Sequence, residues 1–251
     1  MANEKVFNDR SENYAKGRPG YANGVLELIL RDIIKSNDKI ADIGSGTGIF
    51  SAGFIERGFD VFCVEPNEDM RAQAQEIFAG NPHFISVAAS AEATTLPDHS
   101  IDLVTAASAF HWFDAEQFRV ECGRILKPHG VFFAVVNARD YNDPFTLRQH
   151  DICVELCKDF TSLRNGLNKS VPKLEAFFGG SMNHAEFDFP LEYTKEKFVQ
   201  RSLSSSYAPD PDTAAYKEYT ERLWALLDEF APDGEKIVVP NVSVAHWGKL
   251  S

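Results

Sequence analysis

The chain has 251 residues with 37 acidic and 25 basic side chains, and its net charge of −12 argues against nucleic acid or an anionic membrane surface as the main partner, because both would repel it at long range. A composition of 44% hydrophobic and 25% charged residues is that of a globular protein rather than a disordered or fibrous one, and four cysteines are too few for a disulfide scaffold. No apolar run approaches the roughly 20 residues a membrane span needs, and Met1–Lys5 lacks the apolar core of a secretory signal, so the cytoplasm is the expected compartment.

Residues 1–20 are polar and rich in turn formers, and after Gly20 the residues Val25, Leu26, Leu28, Ile29, Ile33 and Ile34 recur at helical spacing. Ile40–Ile43 reads as a short strand that runs into Gly44-Ser45-Gly46-Thr47-Gly48, followed by a helix over Ile49–Arg57 that Gly58 closes. The unit then repeats, with a strand over Asp60–Glu65 and a helix over Asn67–Ala79 that Asn67 caps. Phe84–Val87, Leu103–Ala107 and Val131–Val136 follow as strands, the last two separated by a helix over Ala115–Leu126 and a turn at Lys127-Pro128-His129-Gly130. Strands alternating with helices predict an α/β fold, a parallel right-handed sheet covered on both faces. Beyond Val136 the pattern turns mostly helical from 142 to 178 and stops at Gly179-Gly180. Strand candidates Glu186–Tyr193 and Lys236–Trp247 flank helical segments near Lys195–Ser202 and Thr213–Phe230. No linker, repeat or low-complexity tract divides the chain, so one domain is expected.

The glycine turn lies between a strand and a helix, where a Cβ would keep a ligand from the backbone. Glu65 ends the next strand and, in a parallel sheet, emerges beside that turn, where a carboxylate can accept both hydroxyls of a ribose. A nucleoside ligand is the reading this pair favours. A nicotinamide oxidoreductase would carry G-x-G-x-x-G, whereas this chain has G-x-G-x-G with Asp42 two residues before the first glycine. A non-catalytic nucleoside-binding protein of the same fold is a further alternative. Cys153 and Cys157 share a helical face without a surrounding His or Cys cluster, which predicts two buried thiols and no metal site.

That glycine motif resembles the first motif of S-adenosylmethionine-dependent methyltransferases, and from about Tyr14 to Val136 the chain resembles their class I small-molecule branch, which contains trans-aconitate methyltransferase-like enzymes. Ser90-Ala91-Glu92-Ala93-Thr94-Thr95-Leu96-Pro97 is similar to the family's adenine-contacting segment, although many members carry Asp where this chain has Ser90. Ser100–Ala106, Arg124–Gly130, Ala109-Phe110-His111-Trp112-Phe113 and Tyr14-Ala15-Lys16-Gly17-Arg18-Pro19 match further family segments. The resemblance implies a Rossmann-like seven-stranded, mostly parallel sheet with an antiparallel last strand. It also implies a core at about 36–136, a helical lid at about 142–180 and C-terminal strands at about 185–250. S-adenosylmethionine is the implied cofactor, held by Tyr14, Arg18, Asp42, Gly44, Ser45, Gly46, Gly48, Glu65, Pro66, Ser90, Ala91, Glu92 and Ala106. His111 and Trp112 are the implied acceptor-side residues. The expected reaction is O-methylation of a small molecule, with a carboxylate favoured and His111 available to take a proton from a hydroxyl or amine. Arg148, His150, Lys158 and Arg164 are cations of the lid that either meet an acidic substrate or form a solvated face. A monomer or a homodimer fits equally.

Overall fold

The computed structural model describes residues 20–250. In chain order its strands are β1 (Ile40–Ile43), β2 (Val61–Val64), β3 (Phe84–Val87), β4 (Ile101–Ala107), β5 (Leu126–Arg139), β6 (Asn183–Asp188), β7 (Leu191–Thr194), β8 (Lys236–Val239) and β9 (Asn241–Gly248). Its helices are α1 (Asn23–Leu28), α2 (Ala52–Ile55), α3 (Glu68–Ile77), α4 (Ala115–Ile125), α5 (Pro144–Leu156), α6 (Asn165–Phe178), α7 (Lys195–Leu203) and α8 (Ala214–Phe230). These elements form two compact units. Unit 1 takes the chain up to Val136, Gly166–Phe187 and the segment from Ser243, and unit 2 takes Asn137–Asn165 and Asp188–Val242.

Unit 1 contains a seven-stranded sheet in the order β3-β2-β1-β4-β5-β9-β6, mostly parallel with one antiparallel strand and with helices around it. All four residues of β1 are buried, as expected of a strand covered on both faces. It pairs in parallel with β2 (Ile40 opposite Val61) and with β4 (Asp42 opposite Thr105). Asn67 caps α3 by accepting from the Met70 N–H, as the sequence predicts. A cluster of phenylalanines fills the core, with Phe118 stacked on Phe177 at 5.5 Å and Phe132 at 4.8 Å from Phe177.

Unit 2 has its own core, in which Phe145, Phe198, Tyr219 and Leu223 are buried. Its two-stranded sheet pairs β7 antiparallel with β8, Leu191 opposite Val239 and Thr194 opposite Lys236. Thr194 and Thr213 cap α7 and α8 with their hydroxyls.

Several boundaries differ from the sequence reading, each for a local reason. The helix expected over 49–57 is only Ala52–Ile55, because the chain first completes tight turns from Ser45 O to Gly48 N–H and from Gly48 O to Ala52 N–H. Residues 127–130 do not break the fifth strand. They lie within β5 as an irregular stretch, since Ile101 pairs with Leu126 but Leu103 already pairs with Val131. The two late strand candidates are four strands, interrupted around Pro190 and Pro240, residues that cannot donate to a ladder. The stretch 142–180 is also not one body. α5 belongs to unit 2, whereas α6 from Gly166 onward belongs to unit 1 and delivers Leu174, Phe177 and Phe178 to its core.

Candidate active site

The carboxyl ends of β1, β2, β3 and β4 share one edge of the unit 1 sheet, and the strand order turns around between β1 and β4, the place where open α/β sheets bind ligands. The glycine turn sits there, held to the next strand by Gly44 N–H and Ser45 N–H, which both donate to Val64 O at 2.8 and 3.2 Å. All three glycines have positive φ, but for different surroundings. A Cβ on Gly44 would lie 2.7 Å from the Ala109 Cβ, and one on Gly48 would lie 2.5 Å from the Phe78 ring, so both positions are closed by packing. Among the described residues a Cβ at Gly46 would meet only Met70 Sδ, at an ordinary 3.7 Å, so of the three glycines this one has room beside it. Next to it the Ser45 hydroxyl is buried without a hydrogen-bond partner among the described residues.

Glu65 clamps this turn. One carboxylate oxygen accepts from Gly46 N–H and the other from Asn67 N–H, both at 2.9 Å. The residue is 7% exposed, and burial raises its pKa against the opposing pull of those two N–H groups and of Arg71. Each oxygen retains a lone pair for a further donor, such as a hydroxyl. Arg71 donates to the carbonyls of Glu65 and Pro66 at 2.8 and 2.7 Å, which leaves exposed Pro66 fixed at the rim.

Asp42 lies inside the fold, beneath the turn. Its two oxygens accept from Ser51 Oγ at 2.6 Å and Thr105 Oγ1 at 2.8 Å, and burial pushes its pKa up to about 6 against those two bonds. It therefore ties β1 to β4 and to the residues before α2. On the far side of the edge, Ser90 is half-buried, Ala91 is packed into the core, and Glu92 accepts the Asp114 N–H at 3.0 Å at the start of α4.

Past β4, Ser108 takes a φ of 53° and accepts a hydrogen bond from Tyr21 Oη at 3.0 Å. Phe110–Trp112 then forms one 3-10 turn in which the His111 and Trp112 rings lie 4.9 Å apart and Trp112 is 45% exposed. His111 and Ala106 line a cavity in unit 1 together with Ser108, Ser170 and His246. His246 is buried, and its Nε2 lies 3.2 Å from His184 Nδ1. Burial, and then the His184 charge, push its pKa down to about 4, so it is neutral near pH 7.

Thus Gly44, Ser45, Gly46, Gly48 and Glu65 come together at one place, and Ala106 with His111 at another on the same edge, whereas Asp42 and Glu92 spend their carboxylates on protein donors. Tyr14 and Arg18 lie outside the described residues. Ser108, Ser170 and His246 escaped the sequence reading, because a strained serine and a histidine on the last strand leave no periodic trace; only the adjacency of Ser108 to the His111 segment could have pointed to it. Among the described residues no group of three or more His, Cys, Asp or Glu is placed to hold a metal ion, and no helix is long and apolar enough to cross a membrane.

Fold and edge together define a Rossmann-like protein in which the glycine turn and the Glu65 carboxylate meet at the switch point. A family described as a methyltransferase domain matches residues 41–134. An uncharacterized methyltransferase of Mycobacterium tuberculosis is 33% identical over 127 residues, 51% of this chain and 50% of that protein. The chain thus spans about half the length of the first curated relatives it matches. An uncharacterized methyltransferase-like protein of Schizosaccharomyces pombe is 30% identical over 235 residues, 90% of this chain and 86% of its own length. Among solved structures, a putative type II methyltransferase from Anaeromyxobacter dehalogenans shares the fold with a TM-score of 0.65 at 20% identity, over 93% of this chain and 98% of that one. The chain belongs to the class I methyltransferases, a family whose general cofactor is S-adenosylmethionine.

Proposed function

We propose that this chain binds S-adenosylmethionine along the carboxyl edge of unit 1 and transfers its methyl group to an oxygen of a small-molecule acceptor, a carboxylate being favoured. The observation that carries this reading is the pairing of open space over Gly46 with the partnerless Ser45 hydroxyl and the Glu65 carboxylate clamped beside them. The Ser45 hydroxyl and the Gly44–Gly48 backbone would meet the cofactor, Glu65 would accept its ribose hydroxyls, and Pro66, Ser90, Ala91, Glu92 and Ala106 would border it. Asp42 would hold the turn from below, and the family resemblance adds Tyr14 and Arg18.

When bound, the cofactor supplies a methyl carbon already activated by a sulfonium, so the protein's task is to position and desolvate. A carboxylate acceptor attacks without losing a proton. The described residues that line the His111 cavity include no carboxylate to repel it, and offer Ser108, His111 and Ser170 as polar groups. His111 orients the acceptor, and Trp112 walls it. We read residues 1–251 as one methyltransferase domain acting in the cytoplasm as a monomer or homodimer.

The test is transfer of radiolabelled methyl from S-adenosylmethionine to a panel of carboxylic acids, alcohols and amines. Label in a base-labile ester is the expected product. Label confined to an amine or to carbon would contradict the carboxylate assignment, and no transfer to any acceptor would contradict catalysis.

A further inference from the structure

The last two strands of the unit 1 sheet bring two histidines together. β9 carries His246 and its neighbour β6 carries His184, with ring centres 4.8 Å apart and His246 Nε2 3.2 Å from His184 Nδ1. His246 is 4% exposed, whereas His184 reaches solvent, where its Nε2 lies 3.6 Å from Glu186 Oε1. The pair therefore joins the interior of the unit to its surface.

On the inner side, His246 lines the cavity that also takes in Ser108, His111 and Ser170. Ala109, another wall of this cavity, packs on the glycine turn, since a Cβ on Gly44 would lie 2.7 Å from the Ala109 Cβ. Val135, Val136, Leu174 and Val244 make much of the remaining wall apolar. With Nε2 beside His184, the other polar atom of the His246 ring is Nδ1, which makes no hydrogen bond among the described residues. A buried polar atom without a partner is uncommon in folded proteins, and a ligand in the cavity would supply one.

What Nδ1 can do depends on His184. Burial keeps the His246 imidazole neutral near pH 7, and a neutral imidazole has one N–H and one bare nitrogen. If His246 Nε2 donates to His184, Nδ1 is bare and can only accept. If His184 Nδ1 donates instead, the His246 proton sits on Nδ1, which then can only donate. An ionised carboxylate is an acceptor only, so it pairs with the second arrangement and not with the first.

We propose that His246 binds the acceptor, its Nδ1–H donating to the carboxylate of a small acid with a short apolar body, and that His184 is a positioning residue that fixes this tautomer by donating to Nε2. The apolar walls take the body of the acid, and the N–H to carboxylate bond sets its direction. This inference rests on reading the His111 cavity as the acceptor site.

The experiment is an NMR titration of the full chain, isotope-labelled at the histidine ring nitrogens, with butyrate in the presence of S-adenosylhomocysteine. The His111 and His246 ring signals should move together and saturate, and in the complex His246 Nδ1 should read as protonated and Nε2 as bare. His246→Phe should weaken butyrate binding at least about tenfold, the scale for losing a hydrogen bond to a charged group. His246→Asn, which restores an N–H near the place of Nδ1, should bind within about threefold of the wild type, whereas an equal loss in both variants would mean packing alone and overturn the proposal. His184→Phe should weaken binding at least about threefold, and unchanged affinity there overturns the positioning role. If His111 responds but His246 does not, or if Nδ1 is bare in the complex, the proposal falls and the acceptor site stands. If neither ring responds, the reading of the cavity as the acceptor site falls and takes the proposal with it. Should His246→Phe not fold, the ring signals of the wild-type chain decide.

Discussion

Alanine at each glycine of the 44–48 turn meets a different obstacle, and the difference separates ligand space from packing space. At Gly46 the φ of +57° costs an alanine about 1 to 2 kcal/mol, while among the described residues its Cβ finds only Met70 Sδ at an ordinary 3.7 Å. At Gly48 the φ of +83° brings the same strain, and the 2.5 Å approach to the Phe78 ring adds an overpacking cost of about 1 to 3 kcal/mol. Gly46→Ala should therefore lose about 1 to 2 kcal/mol of stability and Gly48→Ala about 2 to 5 kcal/mol, sums of those same two effects. Ligand binding should rank differently, with Gly46→Ala losing at least about tenfold in S-adenosylhomocysteine affinity because its methyl enters the space the proposed ligand takes beside the turn. Urea unfolding and calorimetry on the same preparations read both quantities. A folded Gly46→Ala that binds like the wild type would refute the reasoning, and so would a Gly46→Ala as unstable as Gly48→Ala.

Three further outcomes follow from the site and its surroundings. Glu65→Gln should weaken S-adenosylhomocysteine binding by about 1 to 3 kcal/mol, the scale for a charged acceptor, and unchanged affinity would make Glu65 a clamp for the turn only. His111→Ala should leave that affinity nearly intact yet slow methyl transfer by about 100-fold or more, with rescue by Asn marking orientation rather than proton transfer; equal rates in all three proteins would return His111 to a packing role. Glu121, which accepts from Thr94 N–H at 2.8 Å and from Arg124 at 2.7 and 2.9 Å, has its pKa lowered from 4.5 to about 2, chiefly by Arg124. A depressed folded pKa stabilises fully above 4.5 and loses that contribution as pH falls toward 2, so urea unfolding should lose on the order of 3 kcal/mol across this window, a loss that Glu121→Gln should lack.

The parallel half of unit 1 was legible because its strands are short apolar runs between turn formers, and because Asn67 and Gly58 mark helix ends by their own chemistry. The glycine turn and Glu65 were expected on one edge for the same reason, since Glu65 must follow wherever β2 ends. Less visible was the reason for each glycine: only the fold shows that Ala109 and Phe78 close two of the three positions. The phenylalanines at 177 and 178 announced an apolar face on α6 without saying which core receives it. Pro190 and Pro240 did carry a signal against continuous strands, and the alternation around them concealed it. Ser170 and His246 depend on neighbours far away in sequence, and no local pattern marks such a meeting.

The central claim, a cofactor site over Gly46 and Glu65, is tested most directly by one calorimetric titration of the purified chain with S-adenosylhomocysteine, with NAD as the comparison and Gly46→Val as the blocked control. The account predicts saturable one-to-one binding of S-adenosylhomocysteine, no saturable binding of NAD, and loss of the first signal in a folded Gly46→Val protein. A folded wild-type chain that gives no heat with S-adenosylhomocysteine, or that binds it equally well with valine at position 46, would contradict it.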